Sequence, residues 1–151
     1  MSELKRLFLD TNIYIIGTQD IDSDEAKILY AIGYYGREHS QIDAQIIFSA
    51  ELIEQIRRVG KYLWNKDKAG LVLSFIFTRL DLYYITPNTE WYQLLTELRL
   101  RGNIPLEDVG IFLTAKYGEA DCFVSGNREL IKAITDFECL TPESFVKKYL
   151  I

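Results

Sequence analysis

The chain has 151 residues, 48% of them hydrophobic, and a formal net charge of −5. That length suits one compact domain, which buries roughly 68–70% of the surface its unfolded chain exposes. The acidic balance opposes broad adhesion to polyphosphate, so contact with nucleic acid would need a local basic patch or bound cations.

The opening MSELKRLFLD puts an acid and two bases before a very brief apolar run, without the longer apolar stretch and cleavage site of a signal peptide. Apolar patterning then predicts a strand over Arg6–Leu9, followed directly by Asp10-Thr11-Asn12. A helix is expected over Ser23–Arg37, and His39, in the polar run Arg37-Glu38-His39-Ser40, reads as a solvated loop histidine. Next come a strand at Ile46–Phe48, Ser49 as the N-cap of a helix over Ala50–Val59, and a helix over Asp67–Arg79. The apolar run Leu71–Phe77 inside that helix is far shorter than the ~20 residues that cross a bilayer. A cytoplasmic protein without a membrane partner is the expectation.

A strand at Leu82–Ile85 and a helix over Thr89–Arg101, stopped at Gly102, follow. Pro105 opens a helix over Leu106–Tyr117 that ends at Gly118. Cys122–Ser125 reads as a strand, Arg128–Thr135 as a helix and Glu138–Leu140 as a brief strand, and Thr141-Pro142 starts a last helix over Pro142–Leu150. Short strands alternating with helices are the pattern of repeated βα units and a mainly parallel sheet. No repeat, low-complexity tract or linker divides the chain, so one domain over residues 1–151 is expected.

The cysteines, Cys122 and Cys139, both lie in apolar surroundings and read as buried thiols rather than a disulfide or a zinc site. With His39 the single histidine, the usual general base of a serine or cysteine triad is missing. A dinucleotide-binding reading has little support, because no Gly-x-Gly-x-x-Gly follows the first strand.

In an open parallel sheet, ligands collect beyond the carboxyl ends of the strands. Asp10 follows the first predicted strand, Glu51 opens the helix after the second, and Asn127 lies just past Ser125. Asp108 joins them if the helix over Leu106–Tyr117 runs antiparallel to the strand after it. Three carboxylates in one crevice repel one another unless cations neutralise them. Oxygen ligands of this kind suit Mg²⁺ or Mn²⁺, and metal-dependent phosphodiester hydrolysis is the chemistry such a centre supports. The bland alternatives are a turn acid for Asp10, helix-dipole acids for Glu51 and Asp108, and a turn former for Asn127.

The segment Arg6-Leu-Phe-Leu-Asp10-Thr11-Asn12 resembles the opening strand and Asp-Thr-Asn motif of PIN domains, and Ser49-Ala-Glu51-Leu52 resembles their helix-borne glutamate. Pro105-Leu-Glu-Asp108-Val-Gly-Ile-Phe-Leu-Thr-Ala115 and Glu119–Leu130 are similar to the family's last helix and strand, and Leu140–Phe145 to its terminal helix. The resemblance covers nearly the whole chain and implies a single three-layer α/β/α domain with a mainly parallel sheet of four to five strands. PIN domains are similar to the nuclease part of flap endonucleases, and many are Mg²⁺- or Mn²⁺-dependent ribonucleases, VapC-type toxins of toxin–antitoxin pairs among them. The implied function is a metal-dependent endoribonuclease of single-stranded RNA, with an antitoxin protein and a homodimer as family-level expectations. The alternative is a degenerate module that binds RNA or a protein partner without cleaving.

Carried over position by position, the resemblance gives catalytic and metal-ligand roles to Asp10, Glu51 and Asp108, the last preferred over Glu107. The family's fourth acid falls on Asn127, which offers only a neutral oxygen or a water contact and predicts weaker metal binding. Glu129 is a candidate surrogate. Asp121 is not, since it precedes its strand and belongs on the opposite edge of the sheet. Thr11, Asn12 and Ser125 are placed to hold metal-bound waters or orient the carboxylates, or else to make local turn bonds, and Arg128 lies beside the site. Arg57, Arg58, Lys61, Lys66 and Lys68 form a basic region whose default reading is a solvated helix face. Trp91 and Tyr92 are expected in the core or a dimer contact.

Overall fold

The β-rich runs become the strands β1 (Arg6–Leu9), β2 (Gln45–Ser49), β3 (Leu82–Ile85), β4 (Cys122–Val124) and β5 (Glu138–Leu140). In this computed structural model, which describes residues 4–150, they form one all-parallel sheet in the order β3-β2-β1-β4-β5. Leu7, Phe8 and Leu9 of β1 and Cys122, Phe123 and Val124 of β4 are fully buried, as expected of central parallel strands covered on both faces. Phe8 and Phe123 stack across the pairing with ring centroids 5.0 Å apart.

Among the described residues, seven α-helices connect the strands, α1 (Thr11–Gln19), α2 (Asp24–Ala31), α3 (Ala50–Leu63), α4 (Lys66–Arg79), α5 (Thr89–Arg101), α6 (Val109–Tyr117) and α7 (Arg128–Ala133), and an eighth, α8 (Pro142–Tyr149), follows β5. The helix α1 packs against both α2 and α3, α3 against α4, and α8 against α2, while α5 packs against α6. Crossovers between parallel strands are right-handed as a rule, which puts these two groups on opposite faces of the sheet, consistent with three α/β/α layers. No described helix is long and apolar enough to cross a membrane.

Several elements differ from the sequence expectation. No helix was anticipated at Thr11–Gln19, because Thr11-Asn-Ile-Tyr-Ile-Ile-Gly17 has no polar stripe. Thr11, Ile13, Tyr14, Ile15 and Gly17 are all buried, so the helix is apolar around most of its circumference. The expected helix over Ser23–Arg37 ends at Ala31; Gly33 adopts φ 96°, a left-handed conformation that breaks it. Arg37–His39 form a separate 3-10 turn, and the His39 side chain lies outside the described residues. Leu106–Asp108 is likewise a 3-10 turn rather than α-helix, with α6 starting at Val109. In the other direction, α3 runs four residues past the expected Val59.

The punctuation residues act as expected. Ser49 and Thr141 accept backbone N–H bonds as N-caps, and Gly102 closes α5 in the left-handed conformation. Trp91 is buried and Tyr92 exposed. Cys122 and Cys139 are free thiols; burial raises both, Cys139 to about 11, which leaves neither as a reactive thiolate.

Candidate functional site

The chain leaves β1 toward β2 on one side and reaches β4 on the other, so the carboxyl ends of β1 and β4 flank a topological switch point, where open α/β sheets bind ligands. Register sets what meets there. Leu9 pairs with Val124, so the next residues, Asp10 and Ser125, come level, and the Asp10 N–H donates to the Val124 carbonyl at 3.0 Å. Ser125 is fully buried, and its hydroxyl donates to Asp10 Oδ2 at 2.7 Å, while Asp10 Oδ1 accepts the Thr11 N–H at 2.8 Å as the N-cap of α1. Both carboxylate oxygens are therefore held by short bonds.

Glu51 sits in the first turn of α3, half-buried beside Gly110 of α6. Gln55, one turn on, donates from Nε2 to Glu51 Oε2 at 3.4 Å and accepts the Thr11 hydroxyl at 2.5 Å. A relay from Thr11 through Gln55 to Glu51 thus ties α1 to α3. Asp108 ends the 3-10 turn before α6, and Asn127 Nδ2 donates to its Oδ2 at 3.4 Å. The structure brings Asp10, Glu51, Asp108 and Asn127 to one rim, at the N-termini of four helices whose dipoles favour negative charge there.

Electrostatics mark the carboxylates as mutual neighbours. Burial raises the Glu51 pKa most, and Asp108 and Asp10 push it further up, against the opposing pull of Arg99. Burial likewise raises Asp108, with Asp10 and Glu107 adding to it. A carboxylate raised in the folded state binds its proton more tightly folded than unfolded. Its stabilising effect is fully present at low pH and is lost as pH climbs from about 4 through the raised value. In metal-free buffer, Glu51→Gln should therefore melt above the wild type by a margin that widens as pH rises above about 4. A pH-independent margin in thermal melts would deny the shift.

Asn127 has a second task. Its amide oxygen caps α7 by accepting the Leu130 N–H at 3.1 Å, its own N–H donates to Ser125 Oγ at 3.0 Å, and its Nδ2 faces Asp108. The cap fixes the amide orientation, because only the oxygen can accept from Leu130. As placed, Asn127 presents donors to the rim rather than the ligand oxygen its position suggested. Of the other candidates, Asn12, Arg128 and Glu129 are exposed near the rim, with Glu129 in the first turn of α7. Glu107 is exposed, whereas Asp108 turns inward. Asp121 sits at the opposite edge, accepting the Lys5 and Arg6 N–H groups at 2.9 Å.

Three contributors were not singled out from sequence. Gln55 was accessible as the i+4 neighbour of Glu51 on a helix. Arg99 was not, since only the packing of α5 on α6 brings it into range. Gly110 is the third: a Cβ there would stand 2.2 Å from Glu51 Oε1. Because the obstructed atom ends a flexible side chain, Gly110→Ala should fold, gaining up to about 1 kcal/mol of helix propensity, while displacing the Glu51 carboxylate. The expected result is an unchanged or higher melting temperature in EDTA with roughly tenfold weaker Mn²⁺ binding; equal Mn²⁺ affinity would refute the cradle.

The donor set is all oxygen, as Mg²⁺ and Mn²⁺ prefer. Among the described residues, however, no three His, Cys, Asp or Glu side chains form a ready-made cage. Each carboxylate instead faces a local donor: Ser125 and Thr11 for Asp10, Gln55 for Glu51, Asn127 for Asp108. This arrangement fits an ion bound through one or two carboxylates that keeps several of its waters, the usual Mg²⁺ mode, rather than a dehydrated three-carboxylate cage. A cavity of about 570 Å³ between α2 and α8, lined by Ile21, Tyr30, Tyr35, Val146 and Leu150, includes none of these residues.

No family model and no curated protein matches the chain in sequence. In three dimensions it is similar to VapBC2 from Rickettsia felis bound to a DNA fragment from their promoter, with TM-score 0.65, 19% identity, and 90% of this chain and 98% of that chain covered. It is also similar to VapBC-1 from nontypeable Haemophilus influenzae, with TM-score 0.61, 15% identity, and 91% and 98% covered. FitAB bound to an IR36 DNA fragment gives TM-score 0.58, 16% identity, and 90% and 94% covered. The VapC and FitB toxins of such pairs are PIN domains. The class that the layers, strand order and rim define is thus the PIN-domain fold, matched over 90% of the chain.

Proposed function

We propose that the chain is a divalent-metal-dependent endoribonuclease of single-stranded RNA, acting as the toxin of a toxin–antitoxin pair. What carries this reading is the gathering of Asp10, Glu51 and Asp108, three carboxylates distant in sequence, at the switch point of the sheet, where Ser125, Gln55 and Asn127 hydrogen-bond to them. Such a cluster costs stability unless a cation neutralises it. A bound Mg²⁺ or Mn²⁺ supplies polarisation of a water and neutralisation of phosphodiester charge. The protein's part is to hold Asp10 rigid between Ser125 and Thr11, to aim Glu51 through Gln55, and to keep Asp108 facing inward through Asn127.

The toxin setting is supported by the VapBC and FitAB neighbours, which also favour an antitoxin partner and a homodimer for this chain. The test is a Mn²⁺ titration of purified protein against single-stranded RNA. Cleavage should appear with the metal and vanish in EDTA, and equal cleavage in EDTA would remove the mechanism. A second reading, a degenerate module that binds without cleaving, rests on Asn127, whose oxygen is engaged in the α7 cap. In that case RNA or a protein partner is retained and neither metal yields products.

A further inference from the structure

The helix α3 begins in the carboxylate cluster and runs 14 residues out of it. Its inward stripe, Leu52, Ile56 and Gly60, is buried against the core. Glu51, Gln55, Arg58 and Tyr62 stand at i, i+4, i+7 and i+11 and therefore share one face of the helix. That face starts at the Glu51 carboxylate and its Gln55 partner. It continues through the exposed Arg58 to Tyr62, which is 87% exposed. At 1.5 Å per residue, Arg58 lies about 10 Å and Tyr62 about 16 Å along the axis from Glu51.

The surroundings of the outer end of this face suit a polyanion with exposed bases. Residues 57–68 hold Arg57, Arg58, Lys61, Lys66 and Lys68 against one acid, Asp67, in a chain of net charge −5. Arg57 is occupied by Glu54 at 3.3 Å, whereas Arg58 has no ion-pair partner among the described residues. The neighbouring α1, which shares the Thr11–Gln55 bond, carries no charged residue to compete for a phosphate. An exposed aromatic ring one helical turn from an unpaired cation is a combination with which proteins hold single strands, the ring stacking a base and the cation contacting the backbone.

We infer that the Glu51–Gln55–Arg58–Tyr62 face of α3 is a single-stranded RNA track leading into the carboxylate site, with Arg58 on a backbone phosphate and Tyr62 stacking a base a few nucleotides from the cleaved bond. The inference rests on the RNA-cleaving reading for its occupant and adds where the strand lies and which residues grip it. Arg57 and Lys61, turned about a quarter of the circumference or more from this face, stay outside the track.

The test measures fluorescence anisotropy of a short fluorescein-labelled single-stranded RNA in EDTA, where binding is scored without cleavage. Tyr62→Ala should weaken binding roughly five- to a hundredfold while Tyr62→Phe keeps it, since the ring and not the hydroxyl stacks. Arg58→Ala should reduce the slope of log affinity against log salt by about 0.7, the value for one phosphate contact on a single strand. Arg57→Ala, at the paired off-track cation, should change neither. The three substituted side chains, Arg57, Arg58 and Tyr62, are all exposed, and unchanged thermal melts verify folding. Wild type that binds RNA through Tyr62 and Arg58 but cleaves none in Mn²⁺ upholds the track and refutes the nuclease. Variants that bind as wild type does, while Mn²⁺-dependent cleavage persists, overturn the track and leave the nuclease standing. Wild type that binds no single-stranded RNA, or whose α3 face is protected by a protein segment instead, overturns the track.

Discussion

Asp10→Asn should abolish metal-stimulated RNA cleavage, by about a hundredfold or more, without unfolding the protein. The size is that of removing one preorganised electrostatic group from a reaction centre. Folding should survive because the Asp10 side chain caps α1, and Asn is as good an N-cap as Asp. The substitution removes a charge that raises both Glu51 and Asp108. Two signs therefore separate a metal role from a purely structural one. The melting temperature in EDTA should hold or rise as repulsion is relieved, and the additional rise produced by Mn²⁺, which grows with ligand concentration over Kd, should shrink or vanish. A variant that melts lower in EDTA yet responds to Mn²⁺ like the wild type would mean that Asp10 serves only the fold.

Asn127→Asp should move both quantities the other way. An aspartate can cap α7 with one oxygen, as Asn127 does through its amide oxygen, and turn the second toward Asp108. The present amide instead spends its single oxygen on the cap and offers Nδ2 to Asp108. A carboxylate in that place exchanges a hydrogen bond for a repulsion in the apo protein, on the order of 1 kcal/mol, or about 2–4 °C for a chain of this size. With Mn²⁺ present it adds a ligand charge, and tenfold tighter metal binding corresponds to about 1.4 kcal/mol. Cleavage should rise with it. If Asn127→Asp loses stability in EDTA, gains no Mn²⁺ affinity and yields no products, the binding-module reading replaces the enzyme.

The strands, their parallel order of alternation and most helix ends were legible from local chemistry. Runs such as Arg6–Leu9 and Leu82–Ile85 are short, apolar and bounded, and Ser49, Thr141 and Gly102 punctuate as their side chains dictate. The α1 helix was missed because burial on most sides erases the amphipathic period on which a sequence reading depends. Placing Asp10, Glu51 and Asn127 on the carboxyl edge followed from position after a strand. Asp121, on the other edge, followed from the same logic.

What this chain's residue order settles is therefore the kind of element each segment forms and the edge of the sheet at which each acid stands, because period, caps and strand direction are properties of neighbours in sequence. The three-dimensional packing alone decides how the acids stand to one another. The β1–β4 register sets Ser125 against Asp10, the approach of α6 to α3 leaves room for Glu51 only over a glycine, and the α7 cap turns the Asn127 oxygen away from the rim. Each of these is a contact of a few ångströms between residues that are far apart in the chain or already committed to another bond, and distances of that kind follow from how layers close on one another rather than from any local pattern.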